Sequence, residues 1–274
     1  MSLVVTIVGV GRVGGALARR LRDAGRSVVE VRRNDFDAWS SSATAIGDVL
    51  VIAVKDSVLR SVVETIAARR GAALTRTLVV HVNGSLGVDI LAPCRDAGAM
   101  TAAAHPFQTF GDDDPSALDG IGWGVECDEA SWTACRTFVE SSGGRPVRLK
   151  DMTPERKRVY HASAVAASNF TYAAYELGRR LAEAAGIPAD IFLAPIMERT
   201  QRNAVDALEK GLPFAMTGPV VRGDAEGVRL QLEAIPRELR DVYRHCSLAL
   251  LATAADRLDA ETVETLRTIL SSNR

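Results

Sequence analysis

The segment that most constrains this chain lies near its start. Residues 3–8 (LVVTIV) form a continuous apolar run leading into Gly9-Val10-Gly11-Arg12-Val13-Gly14, a G-x-G-x-x-G motif. Such a short, unbroken apolar run reads as a strand buried on both faces. Behind the motif, Val13, Leu17 and Leu21 recur every four residues with Ala16 and Ala24 beside them, and Gly25 stands at the position of a C-terminal cap. Gly9 permits the tight turn, Gly11 lacks a side chain that would keep a pyrophosphate from the backbone, and Gly14 lets the helix approach the strand. In a chain with 22 glycines the pattern alone carries little weight. Its place between a strand and a helix, with another strand about twenty residues on, makes it specific. A helix N-terminus offers unpaired N–H groups and partial positive charge to phosphates, so the expectation is a dinucleotide-binding turn.

The tip of the second strand selects among dinucleotides. After Ser27-Val28-Val29-Glu30-Val31 come Arg32 and Arg33, where NAD-binding turns place an acidic residue for the ribose hydroxyls. A guanidinium cannot accept from a hydroxyl, but it pairs well with a 2′-phosphate. Arg12 in the glycine turn can add to the same charge. The pattern therefore predicts NADP as cofactor; Glu30 lies two positions too early to serve NAD.

Further apolar runs at 48–54, 77–82, 99–103, 122–126 and 146–149 alternate with helical patterns at 56–70, 89–97 and 129–142. Strands separated by such helices predict βαβ units and a parallel sheet. After Asp151 the character changes. Thr153 and Pro154 suit a helix start, an Ala-rich helix runs to about Ala185, and a second spans about 190–210 with Pro195 inside it. Gly211 to Gly223 reads as a loop, and three helical segments fill 224–271. The expected architecture is α/β: a Rossmann-type parallel sheet domain over residues 1–150, then an all-α domain over 151–274.

Composition narrows the function classes. The formal net charge is −1, which argues against a general nucleic-acid binder. No apolar run reaches the ~18 residues of a membrane span, and the apolar N-terminus has no basic segment before it, unlike a signal peptide. Cys94, Cys127, Cys135 and Cys246 form no CxxC pair and no zinc spacing. They read as buried, reduced thiols in a cytoplasmic protein, and no metal site is expected.

Ligands bind open α/β sheets at the carboxyl ends of the strands. The segments expected there are Ala53-Val54-Lys55-Asp56, His81-Val82-Asn83-Gly84-Ser85 and His105-Pro106-Phe107-Gln108-Thr109-Phe110. His105 is a candidate proton donor or substrate-orienting group, since imidazole titrates near neutrality; the alternative is a loop-bonded structural histidine. His81 reads as structural, and Asp56 or Ser57 as a helix cap. On the long helix Lys157, His161 and Asn169, with Ser168 adjacent, make a polar stripe amid small apolar residues. Such a stripe either lines a cleft between the domains or bonds across a helix interface; for Lys157, near the helix start, simple exposure is a further alternative. His105 or His161 is the expected donor, with Asn169 or Ser168 polarising a carbonyl. Asp224 reads as a cap, and Arg222 as its partner or as a clamp for a substrate carboxylate.

These pieces together resemble bacterial proteins with an N-terminal Rossmann-like NADP-binding domain and a C-terminal helical domain of unknown function. The matching segments are Gly9–Gly14, 48–56, His105–Phe110, Tyr160-His161-Ala162 through Ser168-Asn169, and Thr217-Gly218-Pro219 with Arg222-Gly223-Asp224. More distantly the layout is similar to ketopantoate reductase, pyrroline-5-carboxylate reductase and deazaflavin-dependent NADP reductases. The resemblance implies an NADP-dependent oxidoreductase, a homodimer through the helical domain, that reduces a small carbonyl or imine substrate; some relatives act on ketopantoate. The chain departs from the Lys-x-x-x-Asn signature of the main ketopantoate reductases, since Lys157 is followed by His161. Two other readings stand beside the reductase: a non-catalytic NADP(H)-sensing module and a deazaflavin-dependent reductase.

Overall fold

A computed structural model describes residues 3–112, 114–208, 210–211 and 215–272. Two compact units divide the chain at Ser168 and Asn169, whereas the sequence changes character at about residue 150.

The first unit is built on seven strands: β1 (Val4–Val8), β2 (Ser27–Val31), β3 (Val49–Ile52), β4 (Leu78–His81), β5 (Met100–Pro106), β6 (Gly122–Cys127) and β7 (Arg145–Arg148). They lie in the order β2-β1-β3-β4-β5-β6-β7. Five neighbouring pairs run parallel; β5 and β6 run antiparallel, with His105 opposite Gly124. The sheet is thus mostly parallel, as expected, with one antiparallel pair. Among the described residues the segment joining β5 to β6 holds a short 3₁₀ turn at Pro115–Leu118 and no α-helix, whereas a parallel return usually runs through a helix.

The helices of this unit are α1 (Arg12–Asp23), α2 (Phe36–Ser40), α3 (Asp56–Arg70), α4 (Ala92–Asp96) and α5 (Glu129–Ser141). The helix read at 89–97 is a 3₁₀ turn followed by the short α4, and α2 gave no periodic signal. All of β3 is buried, and its side chains divide between two cores. Val49 and Val51 join Leu17, Leu21, Trp123 and Phe138. Leu50 and Ile52 join Leu59, Val63, Leu74 and Val79. This two-faced burial is why the strand reads as an unbroken apolar run.

The long α6 (Pro154–Ala184) begins in the first unit. The Thr153 hydroxyl accepts from the Arg156 N–H at 3.3 Å, as a cap should. The second unit continues with α7 (Ala189–Asp206), α8 (Pro219–Arg222), α9 (Ala225–Ala234), α10 (Arg237–Ala254) and α11 (Ala260–Ser271). Its core is Val220, Val228, Leu232, Leu251, Leu266 and Leu270, all from α8 to α11. Pro195 lies inside α7. Part of the expected 211–223 loop lies outside the described residues, and its end is α8. Asp224 caps α9 by accepting from the Gly227 N–H at 2.9 Å; no Arg222–Asp224 bond forms among the described residues.

Cys94 and Cys135 are buried, but Cys246 is exposed, contrary to expectation. Burial pushes the Cys94 thiol up to about 11. Among the described residues no group of His, Cys, Asp or Glu is placed to hold a metal ion, and no helix is long and apolar enough to cross a membrane.

Candidate active site

The glycine turn joins β1 to α1 at the carboxyl edge of the sheet. Gly9 has a φ of +95°, and a side chain there would strike the Ala53 carbonyl and the Val54 side chain. At Gly14 a side chain would run into the Gly9 carbonyl, with the Ala53 side chain at 3.3 Å. Ala53 and Val54 thus wall the turn from the neighbouring strand. Gly11 differs: a side chain there would meet nothing within 4 Å. Gly11 is also the N-cap of α1, makes no side-chain cap bond, and precedes a first turn without acidic residues. No acidic side chain of that first turn therefore meets the partial positive charge of the first N–H groups of α1. Val10, Arg12 and Val13 complete this turn.

Gly9 donates its N–H to the Val31 carbonyl at 3.0 Å, which sets the end of β2 beside the turn. Arg32 and Arg33 follow immediately, both exposed. Glu30 is shared by two guanidinium groups, Arg22 at 2.6 Å and Arg32 at 3.2 Å, so its carboxylate is already engaged. Arg12 and Arg33 form no ion pair among the described residues.

A second group of polar side chains surrounds β4, β5, β6 and the first turns of α6. His81, at the end of β4, is wholly buried. Its Nε2 lies 3.1 Å from the Gly87 carbonyl, and its Nδ1 accepts from the Asn83 N–H at 3.2 Å. One nitrogen donates and the other accepts, so this is a neutral imidazole with both positions used. Burial lowers its pKa to about 4. It pins the loop from Asn83 to Gly87. The Asn83 amide reaches Asp56, and Ser85 donates to the other Asp56 oxygen at 3.1 Å. Asp56 therefore ties this loop to α3; the N-cap of α3 is Lys55, with no side-chain bond, so neither Asp56 nor Ser57 is the expected cap.

His105 lies inside β5, not in a turn after it. Its Nδ1 is 3.0 Å from the Tyr160 hydroxyl. Phe107 packs on both rings, at 5.9 Å from His105 and 5.1 Å from Tyr160. The His161 ring stands 6.1 Å from His105, and its buried Nδ1 has no hydrogen-bond partner. Two glycines make room for this packing. A side chain at Gly84 would fall 2.7 Å from His161 Nδ1 and 2.8 Å from His105 Nε2, and one at Gly124 would overlap the Tyr160 phenol. Burial lowers the pKa of His105 to about 4, helped by the positive potential of His161, Lys157 and His81. Burial also pushes the Tyr160 phenol up to about 12.

Of the alternatives for Lys157, simple exposure is ruled out: its side chain is 1% exposed and pairs with Glu126 at 3.4 Å. The other Glu126 oxygen accepts the Val88 N–H at 2.8 Å, so the pair also holds the loop after β4. Glu126 and Tyr160 escaped the sequence reading as chemical groups. The signal for Tyr160 was its place three residues after Lys157, on the same helix face; nothing local marked Glu126. Asn169 lies further along α6, exposed and in the second unit.

Residues 32–106 match the model of a Rossmann-like domain, and residues 121–250 that of a domain of unknown function, DUF2520. The DUF2520 match begins just before β6, so it takes in the last two strands as well as most of the helices. No functionally curated protein matches the chain. Three solved structures share its fold nearly end to end. A candidate NADP oxidoreductase from Bacteroides fragilis has 19% identity and a TM-score of 0.65, covering 97% of this chain and 98% of that one. An imine reductase from Pseudomonas sp. has 19% identity and a TM-score of 0.63, covering 98% and 100%. The Plasmodium falciparum pyrroline carboxylate reductase, solved with NADP bound, has 14% identity and a TM-score of 0.61, covering 98% of each. At these identities the likeness is one of fold.

Proposed function

We propose that this chain is an NADP-dependent oxidoreductase that reduces a small imine or carbonyl substrate. The observation that carries the reading is the open, uncapped N-terminus of α1 at Gly11 beside the exposed Arg32 and Arg33. The backbone N–H groups from Gly9 to Gly14 would hold the pyrophosphate, with Val10 and Val13 shaping the turn and Ala53 and Val54 closing it. Arg33 and Arg12 would hold the 2′-phosphate, joined by Arg32 once it leaves Glu30. When bound, the coenzyme supplies the hydride. His105 and His161 are the candidates to meet the reacting carbonyl or imine.

Imine reductases and a pyrroline carboxylate reductase are among the structures that share the fold, which favours an imine over a 2-oxo acid such as ketopantoate. The burial of Lys157 against Glu126 points the same way, because an ammonium so enclosed is a poor ligand for a soluble 2-oxo acid. We further propose that the protein works as a homodimer through its helical unit, where α7 leaves its apolar side chains uncovered.

Calorimetry with NADPH and NADH, followed by NADPH consumption with a panel of cyclic imines and 2-oxo acids, tests this. NADPH is expected to bind tighter, and the imines to turn over. Replacing Arg32 and Arg33 by alanine should remove roughly 10- to 100-fold of the preference, the worth of charge-assisted hydrogen bonds. Gly11→Ala should fold normally, since its methyl meets nothing, yet lose affinity for both coenzymes. No heat with either coenzyme would end the proposal.

A further inference from the structure

We propose that Gly84 is a positioning residue of the candidate site: its bare Cα is the wall against which the rings of His105 and His161 are set, and any side chain there would turn them. This deepens the reductase reading and rests on it for the reaction that the two rings serve.

Gly84 is buried, and its φ is not positive, so alanine can take the same backbone. Space is what it lacks. A methyl there would fall 2.7 Å from His161 Nδ1, 2.8 Å from His105 Nε2 and 2.9 Å from His105 Cε1. Non-bonded carbon atoms rest at about 3.5–4.0 Å, so all three contacts would be repulsive. The two rings stand edge to face with centroids 6.1 Å apart, and each brings a nitrogen to this one point. His161 Nδ1 is buried there with no hydrogen-bond partner.

Either the loop or the rings must yield, and the loop is tied down. The Asn83 N–H donates to His81 Nδ1 at 3.2 Å, and His81 Nε2 meets the Gly87 carbonyl at 3.1 Å. Asn83 Oδ1 accepts from the Ser85 and Leu86 N–H groups at 2.8 and 2.9 Å. The Asn83 amide and the Ser85 hydroxyl reach Asp56 on α3, and the Val88 N–H reaches Glu126 on β6. Moving Gly84 away would therefore disturb bonds to β4, α3 and β6 at once. The rings are held more lightly: His105 Nδ1 has the Tyr160 hydroxyl at 3.0 Å, and His161 Nδ1 has no bond to lose. A methyl at Gly84 thus turns the rings, His161 first, and leaves the loop where it is.

Gly84→Ala in the full chain tests this, read by ¹H–¹³C spectra of the four histidine rings, which need no substrate. The His161 and His105 signals are expected to shift, and those of His81 and His245 to stay. Turnover with the imine panel should fall by roughly 10- to 100-fold, the cost of an ångström-scale misplacement, while NADPH affinity is unchanged. Gly122→Ala, whose methyl would meet nothing within 4 Å, should alter neither the spectra nor the turnover. Unmoved His105 and His161 signals, a His81 shift as large as that of His161, or equal losses of turnover and NADPH affinity would each overturn the proposal. Should Gly84→Ala fail to fold, adding His161→Ala vacates one ring and should restore folding; a double variant that stays unfolded overturns the proposal as well. If the rings shift as expected but the wild-type chain reduces no imine or carbonyl, the reductase reading fails by itself.

Discussion

At the scale of single residues, two histidines of one site are held neutral for different ends. His81 has both ring nitrogens consumed by backbone groups, and its work is to shape the loop that carries Gly84. His105 has one nitrogen consumed by Tyr160 and the other turned toward Gly84 and His161. The lowered pKa of His81 has a consequence for stability. Its folded value of about 4 lies below the ordinary value of 6.5. Between those values the unfolded chain binds a proton that the folded chain refuses, so stability rises with pH across that window and is lost as pH falls. For a side chain this buried, the full swing is about 3 kcal/mol. Urea unfolding at pH 7 and at pH 4.5 should show the loss. His81→Gln should be less stable at pH 7 but have a visibly flatter dependence on pH; an unchanged slope would remove His81 from the account.

At the scale of elements, β1, β3 and β4 were legible because burial on both faces writes itself as unbroken apolar runs, and the glycine turn because each of its glycines answers a separate steric demand. Periodicity carries no strand direction, so the antiparallel pairing of β5 with β6 was not legible, and with it went the place of His105 in mid-strand opposite Gly124. The burial of Lys157 was not legible for a related reason. A lysine near a helix start reads as solvated, and only its partner Glu126, 31 residues away in sequence on β6, makes burial tolerable. That pair joins α6 to β6 and, through Val88, to the loop after β4. Breaking one member leaves an uncompensated charge, a loss of roughly 3–5 kcal/mol for a buried pair. Glu126→Gln should therefore lower the unfolding free energy markedly. The double variant with Lys157→Met should recover part of it, because no buried ammonium remains. A thermal-unfolding cycle over the four proteins measures the coupling, and strictly additive losses would mean that the pair does not act as a unit.

At the scale of the whole molecule, the helical unit has a core that omits one of its own long helices. The core residues come from α8 to α11; α7, 18 residues long, has none that is buried. Ile191, Phe192, Ile196 and Val205 are each more than half exposed, as are Phe170 and Tyr172 on α6. A helix in water draws most of its stability from packing an apolar face, not from propensity. Apolar residues in such number on two helices mark a surface meant to be covered, and the proposed homodimer supplies the cover. A stable dimer needs on the order of 1,600 Å² of buried surface, which large side chains on two helices can provide when both copies contribute. Sedimentation or light scattering should find a dimer. Replacing Phe192 and Ile196 by aspartate should weaken it by roughly a thousandfold, since each anchor is worth about 2 kcal/mol or more. The Rossmann-like unit has its own two cores, remote in composition from α7, so coenzyme affinity in that variant should stay near the wild-type value. A wild-type chain that remains monomeric at high concentration would show that something other than a second copy covers these helices.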